Sequence, residues 1–293
     1  MPSFSSRLLA IMLKTFKFNQ RLTRDLESDR HHARPSKEPS SRMIKTYDIS
    51  ITLIQDRIVY QWNNRHDHDQ MTIFYMHGGA YFYGLNKMHF KLFEKLINST
   101  GCSIIVPDYP LVPHASAEEI HAFLEESYCE LCKDKNQNRI MLMGDSSGGG
   151  LALGLAQQLV QHHQLRAHRI MLLSPWLDVG MNNEMISDIQ RHDPVLNRET
   201  LRKIGNMYAR HLSIQHPKAS PLYGSLDGIQ RISIWTGTKD ILYPDAVSLQ
   251  EKVKHTSVTC DLHVYEDMLH TWMFFGLPES RQAISDITNH ILA

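Results

Sequence analysis

The sequence predicts an α/β fold, a mostly parallel central sheet with helices on both faces, and three observations carry that prediction. Residues 71–76, 103–106, 140–143, 170–173 and 232–235 are short, nearly continuous apolar runs, the pattern of parallel strands covered on both sides. Helical patterns lie between most of them, so strands and helices alternate along the chain. The run at 140–143 leads into a glycine-rich turn, Gly144-Asp145-Ser146-Ser147-Gly148, and then into the helix-forming stretch from Leu151 to Ala156.

Composition limits the function classes. The chain has 293 residues, 42% hydrophobic and 21% charged, enough for one sizeable core, either as one domain with a lid or as two domains. Lys+Arg and Asp+Glu each total 31, so no overall field favours nucleic acid. The four cysteines are too few and scattered for a disulfide framework, which points to a reducing, cytoplasmic setting. No apolar run approaches the roughly 18 residues of a membrane span.

Taken in order, residues 1–24 carry Arg7, Lys14, Lys17, Arg21 and Arg24 with no acid before Asp25. Leu8, Leu9, Ile11, Met12, Phe16 and Leu22 recur at near-helical spacing. This reads as an amphipathic helix packing its apolar side on the body, with a weak peripheral contact to an anionic membrane as the alternative. The block from Leu8 to Leu13 is too short for a signal-peptide core and has no cleavage site behind it. Residues 28–42, rich in Ser, Pro and His, read as a flexible connector, and the body begins at residue 44.

Tyr47, Ile49, Ile51 and Leu53 alternate with polar residues, a turn follows at residues 55–57, and Ile58, Tyr60 and Trp62 alternate again. That is an antiparallel hairpin at a sheet edge. The loop Arg65-His66-Asp67-His68-Asp69 reads as a polar hairpin tip, not a metal site, because consecutive ligands have nothing nearby to complete a coordination shell. Ser116 and Glu119 form a capping box ahead of Ile120, Phe123, Leu124 and Leu131. Cys129 and Cys132 have redox spacing but lie on that helical stripe without a second pair, so packing is the reading.

Residues 176–228 contain no clear strand, only a loop and a helix after Asn197 with Leu201, Ile204, Tyr208 and Leu212 on one side. The segment is too long for an ordinary crossover. It is predicted to lie over the carboxyl ends of the strands and, with residues 1–43, to cap the ligand site of a catalytic body at 44–293. Val258, Cys260, Leu262 and Val264 alternate as an edge strand, and Ile284, Ile287 and Ile291 stripe a final helix.

Ser146 sits in a Gly-x-Ser-x-Gly turn between strand and helix, the nucleophile-elbow pattern. A chain turning this sharply leaves no room for a Cβ two residues before or after the serine. A nucleophilic serine needs a base, an acid to orient it, and oxyanion donors. Asp240 follows the strand after the insertion and His270 follows the last strand, the chain order that goes with such an elbow. Asp178, Asp245, Glu266 and Asp267 are rival acids. His77-Gly78-Gly79-Ala80 follows the strand at 71–76, where Gly78, Gly79 and Ala80 can turn backbone N–H groups toward the site together with Ser147.

These motifs, with Tyr81-Phe82-Tyr83-Gly84, Asp108-Tyr109-Pro110-Leu111-Val112-Pro113 and Ser174-Pro175-Trp176-Leu177-Asp178, resemble the hormone-sensitive-lipase family of α/β-hydrolases over about residues 44–293. The resemblance implies a Ser146–His270–Asp240 triad, an oxyanion hole of Gly79, Ala80 and Ser147 N–H groups, a structural His77, and no cofactor or metal. The family usually has glycine at position 80 and alanine at 147. An alanine is compatible with the hole if its φ is negative, and a serine at 147 should change little.

Tyr81, Phe82, Trp176, Trp272 and Phe274, beside the motif residues, are candidate pocket walls. They suggest a small-molecule ester of small to medium acyl chain. The same triad would also serve an amide or peptide hydrolase. The resembling family includes plant hormone receptors that bind ligand after losing the histidine, but His270 is present here. Nothing in the sequence decides between a monomer and a homo-oligomer.

Overall fold

The computed structural model describes residues 2–28, 34–63, 70–133 and 135–293. Eight strands form one sheet: β1 (Ser50–Ile54), β2 (Arg57–Trp62), β3 (Thr72–Met76), β4 (Ser103–Pro107), β5 (Ile140–Asp145), β6 (Arg169–Leu173), β7 (Arg231–Gly237) and β8 (Thr259–Tyr265). Their order is β1-β2-β4-β3-β5-β6-β7-β8. The pairs β1–β2 and β2–β4 are antiparallel, and all others are parallel. The five apolar runs are therefore the parallel strands, the period-2 hairpin is one edge, and the alternating β8 is the other. Gln55 and Asp56 turn the hairpin with φ of 49° and 57°, the mirror-image turn that matches strand twist. Ile51 and Leu53 nevertheless stay 54% and 64% exposed, since β1 is an edge strand bonded to β2 alone.

The helices are α1 (Phe4–Thr15), α2 (Arg21–Glu27), α3 (Ser41–Thr46), α4 (Lys87–Thr100), α5 (Ala117–Cys132), α6 (Ser147–His163), α7 (Ile186–Ile189), α8 (Arg198–Ala209), α9 (Tyr243–Val253) and α10 (Pro278–Leu292). Side chains alternate across each central strand into two cores. Phe74, Met76, Leu142, Leu172 and Ile234 pack in one layer with residues of α5, α6, α8 and α9. Ile73, Tyr75, Met141, Met143, Leu173 and Trp235 pack in the other with α4 and α10. The Ser116–Glu119 capping box closes as read, with Ser116 N donating to Glu119 Oε2 at 2.7 Å. Cys132 is buried on α5, and all four cysteines are free.

Two expectations near the N-terminus are corrected. Most of the apolar stripe of α1 does not pack on the body, although Leu9 does: Phe4 is 74% exposed, Ile11 63% and Phe16 73%, and Leu8 and Met12 are about half exposed. The inner side is instead small and polar, with Ser3 and Ser6 donating to Glu279 in the first turn of α10, and Leu9 half-buried. Lys17 adopts a left-handed conformation, φ 48°, at the break between α1 and α2. Leu26 of α2 is buried.

Nor is the connector loose where it is described. Arg34 N donates to Phe82 O, Gly84 N to Arg34 O, and Lys37 N to Leu85 O at 2.8–3.1 Å. Ser36 Oγ donates to Asp108 Oδ1 and accepts from Leu85 N. A Cβ on Gly84 would stand 2.4 Å from Ser36 Oγ, so glycine permits this close approach. The 65–69 loop falls outside the described residues.

Candidate active site

The elbow is built as its glycines require. A Cβ on Gly144 would lie 2.2 Å from Gly148 O, and one on Gly148 would lie 2.1 Å from Met76 O. Ser146, between β5 and α6, holds φ 54° and ψ −123°, a region L-residues rarely occupy. Two hydrogen bonds fix it there, from Ser146 N to Leu173 O and from Trp176 N to Ser146 O, both 2.8 Å.

The loops after β7 and β8 are stitched together and bring Asp240 and His270 to this serine. Lys239 N donates to Met268 O at 3.0 Å and Asp267 N to Thr238 Oγ1 at 2.8 Å. His270 Nδ1 lies 2.8 Å from Asp240 Oδ2, and Nε2 lies 2.9 Å from Ser146 Oγ. A neutral ring donating Nδ1–H to Asp240 leaves Nε2 to accept the serine hydroxyl. Asp240 Oδ1 accepts from Leu242 N at 2.9 Å. All three side chains are buried, with Asp240 fully so. Burial pulls the His270 pKa down, but the Asp240 carboxylate more than offsets this, with Asp193 and Asp145 adding, so the ring is more basic than an ordinary histidine.

The rival acids sit elsewhere. Asp178 accepts from Gly180 N, Asn182 N, Ser220 Oγ and Tyr223 OH. Asp245 faces Asn183, Glu266 accepts from Thr238, and Asp267 pairs with Lys239 at 2.8 Å. None of them is hydrogen-bonded to His270.

Of the oxyanion candidates, Gly78 is corrected. Its N–H donates to Asp145 Oδ1 at 2.9 Å, and a Cβ there would strike that carboxylate at 2.2 Å. Gly79 N, Ala80 N and Ser147 N have no partner among the described residues. Ala80 does not meet the condition of a negative φ, but the cost is backbone strain, since its N–H stays unpartnered among the described residues. It adopts φ 54°, between Gly79 at 126° and Tyr81 at 58°, because the loop turns back so that Phe82 N and Tyr83 N reach Gly79 O. Ser147 contributes a side chain as well, since its Oγ accepts from Tyr81 N at 3.3 Å.

His77 is fully buried, stacked on Tyr109 with centroids 4.2 Å apart, and bonded through Nδ1 to Gly78 O. Burial, aided by His89, lowers its pKa to about 3, so it is neutral. Tyr81, Phe82, Trp176 and Trp272 are at most 1% exposed and belong to the cores, leaving Phe274, half-buried, as the one wall candidate with open surface. Tyr81 stacks on Tyr208 of α8 at 3.7 Å, Trp176 Nε1 donates to Asp178 O, and Trp272 lies in the opposite layer against Tyr265.

Sequence reasoning passed over two buried carboxylates. Asp145, beside the serine, accepts from Tyr75 OH at 2.7 Å and lies 3.4 Å from His89 Nε2. Burial would raise its pKa, but His89, Tyr75 and Gly78 N more than compensate and hold it below the usual value. Asp193 of the 176–228 segment accepts from Val195 N, Leu196 N and Ile241 N, gripping the residue after Asp240. Burial and the Asp240 charge push its pKa up to about 7. The grip of Asp193 on the Asp240 loop could not be read from its own flanks, since the hydrogen bond from Ile241 N spans 48 residues.

Among the described residues, one group could hold a metal ion. Glu125, His162 and His163 bring three donor atoms within 4.8 Å of one another on the outer side of α5 and α6. A cavity of about 570 Å³ beside them is lined by Gln157, Gln161, His216 and Asp227 and includes no residue of the serine site.

Residues 73–274 match the family described as the alpha/beta hydrolase fold. The chain belongs to the α/β-hydrolase family. An esterase of Acinetobacter venetianus is 33% identical over 219 residues, 73% of this chain and 72% of that protein. An acetyl-hydrolase of Streptomyces hygroscopicus is 27% identical over 233 residues, 76% of each. Among solved α/β-hydrolases, an esterase from the bacterial hormone-sensitive lipase family superposes with a TM-score of 0.82, at 24% identity over 99% of this chain and 98% of that one. A hormone-sensitive lipase from a metagenome library superposes at 0.81, 21% identical, over 98% and 97%. This is the fold of the family its motifs resemble. Among the described residues, no helix is long and apolar enough to cross a membrane.

Proposed function

We propose that this α/β-hydrolase is a serine carboxylesterase that cleaves esters of small to medium acyl chain through an acyl-enzyme. One observation carries the reading: the unbroken relay Ser146 Oγ–His270 Nε2 at 2.9 Å and His270 Nδ1–Asp240 Oδ2 at 2.8 Å. The relatives described as an esterase and an acetyl-hydrolase support an ester substrate.

Ser146 Oγ attacks the ester carbonyl carbon as Nε2 takes its proton, and the negative charge moves to the carbonyl oxygen. Gly79, Ala80 and Ser147 N–H groups stabilise that oxygen. The imidazolium, held by Asp240, returns the proton to the departing alcohol. Water then enters, gives a proton to His270 and attacks the acyl-enzyme, and Ser146 leaves with that proton. The N-terminal segment, through α2, and the insertion at 176–228 act as the cap. This is supported by the Thr23–Thr200 hydrogen bond at 2.5 Å, the Lys203–Glu27 ion pair at 3.1 Å and the Tyr81–Tyr208 stack. A cap so tied to the core favours compact acyl groups. Four free cysteines fit work in the cytoplasm.

Labelling with a fluorophosphonate, mapped by peptide mass, tests the nucleophile. The label should fall on Ser146, vanish in Ser146→Ala and weaken greatly in His270→Ala. Folded protein that takes no label would favour a ligand receptor. Fastest turnover of long-chain esters would sink the acyl-size assignment, and faster turnover of matched amides would sink the ester one.

A further inference from the structure

Among the described residues, the exposed large hydrophobics gather most densely on the outer side of α1 and at its end, a feature the site chemistry leaves unused. Phe4, Leu8, Ile11 and Met12 follow the spacing i, i+4, i+7, i+8, and Phe16 extends the stripe at the helix end. Arg7 and Lys14 on α1, and Lys17, Arg21 and Arg24 on the turn and helix that follow, are all exposed, and no acid precedes Asp25. Asp25 itself is engaged by Arg34 at 2.7 Å and by Tyr83 OH. The chain as a whole balances 31 basic against 31 acidic residues, so this cationic patch is local.

We propose that α1 is a docking face for an anionic lipid surface, which lets the enzyme take ester substrates from a lipid–water interface. The substrate half of this inference rests on the ester-hydrolase reading. An apolar stripe flanked by exposed lysine and arginine is the chemistry that lies in the headgroup region, apolar side down, with cations on the phosphates. A second copy of the chain is a poor occupant, because a two-fold interface would set the same five cations against themselves. The placement suits the purpose. Ser3 and Ser6 bind the first turn of α10, the helix that follows the His270 loop, and α2 is bonded to α8 of the cap, so docking at α1 sets the cap against the interface.

Co-sedimentation of the full chain with phosphatidylcholine vesicles, with and without phosphatidylglycerol, tests the surface without any turnover. Binding to the anionic vesicles should be at least tenfold tighter and should fall as salt rises. Phe4→Ser/Ile11→Ser/Phe16→Ser and, separately, Arg7→Glu/Lys14→Glu should each weaken binding at least tenfold. Both should leave hydrolysis of a water-soluble short ester within about twofold, which also reports folding. The unsubstituted enzyme should cleave an ester dissolved in anionic vesicles faster than the two variants do. Equal or absent binding to both vesicle types would overturn the proposal. So would a dimer that the serine substitutions dissolve while vesicles bind nothing. If vesicles bind but no ester is cleaved, the docking face stands and the ester reading fails.

Discussion

The acid–base arm of the site and its oxyanion arm are built on different principles. Asp240 and His270 hang from adjacent loops after β7 and β8, tied to each other by backbone hydrogen bonds and held in place by charge. The 78–81 loop is held by conformation, with three successive residues at positive φ and an anchor at each end, Gly78 on Asp145 and Tyr81 N on Ser147 Oγ. One arm is made stiff by electrostatics and the other by strain. They should therefore fail differently when perturbed.

The largest effect should come from the charge that defines the first arm. Asp240→Asn is expected to lower kcat by roughly 10⁴-fold, as loss of the orienting carboxylate puts the ring proton on the wrong nitrogen. Asp178→Asn should leave kcat within a few fold and lower stability instead, because Asp178 serves backbone N–H groups and hydroxyls. Ester hydrolysis of both variants, beside thermal melts, checks the pair; the reverse pattern would reassign the acid.

The oxyanion arm should be broken from beneath, through Asp145. Asp145→Asn replaces an acceptor shared by Tyr75 OH and Gly78 N, so the loop should shift and kcat fall on the order of 10–100-fold, less than removal of a whole donor and a misplaced neighbour together. KM should change little. A KM effect alone would mean that the loop binds substrate without stabilising the oxyanion.

A smaller and more diagnostic change is Asp193→Asn. The His270 pKa is raised by Asp240 and further by Asp193, so activity falls on the acid side as the ring protonates above the usual histidine range. Because Asp193 gains its charge only as the pH approaches about 7, Asp193→Asn should move that limb of kcat/KM only slightly to lower pH, whereas loss of a merely structural hydrogen bond would lower the whole profile in place. The stability sign follows separately. Asp193 has a pKa raised to about 7 by burial and by Asp240, so its ionisation disfavours the folded state, and stability declines as pH rises from the ordinary carboxylate range to about 7 and levels off above it. The asparagine variant should lack that decline. The least effect belongs to Ala80→Gly, which removes a left-handed alanine, φ 54°, and should add about 1 kcal/mol of stability with kcat within a few fold. A melting curve decides it.

These contrasts explain how much the sequence disclosed. The parallel strands, the hairpin and the elbow were legible because each depends on neighbours a few residues apart, and the acid and base because each follows the end of a legible strand. Gly144 and Gly148 announce a tight turn locally, and a Cβ on Gly144 would strike Gly148 O four residues on, although one on Gly148 would strike Met76 O on the neighbouring strand β3. What stayed hidden depends on partners far along the chain. The capture of Gly78 N by Asp145 spans 67 residues, so the glycine looked like a free donor. Four of the aromatic residues near the motifs looked like walls, yet apolar rings beside a site are also what the core takes first, and Tyr81, Phe82, Trp176 and Trp272 went there. The stripe on α1 was visible, but a stripe does not say whether protein or something else covers it.

The strap at residues 34–37 bears on where this protein could be divided. Ser36 joins Leu85 and Asp108 through one hydroxyl, and Arg34 runs alongside Tyr83, next to the loop that would cradle the oxyanion. Composition suggests a boundary at residue 43, where a Ser- and Pro-rich stretch gives way to regular strands. A fragment cut there would keep every residue of the relay and lose the external splint on the 78–85 turn. Such a fragment would be expected to bind the fluorophosphonate slowly and melt early, which makes the energetic unit of this enzyme begin at or before Arg34 and not at the first strand.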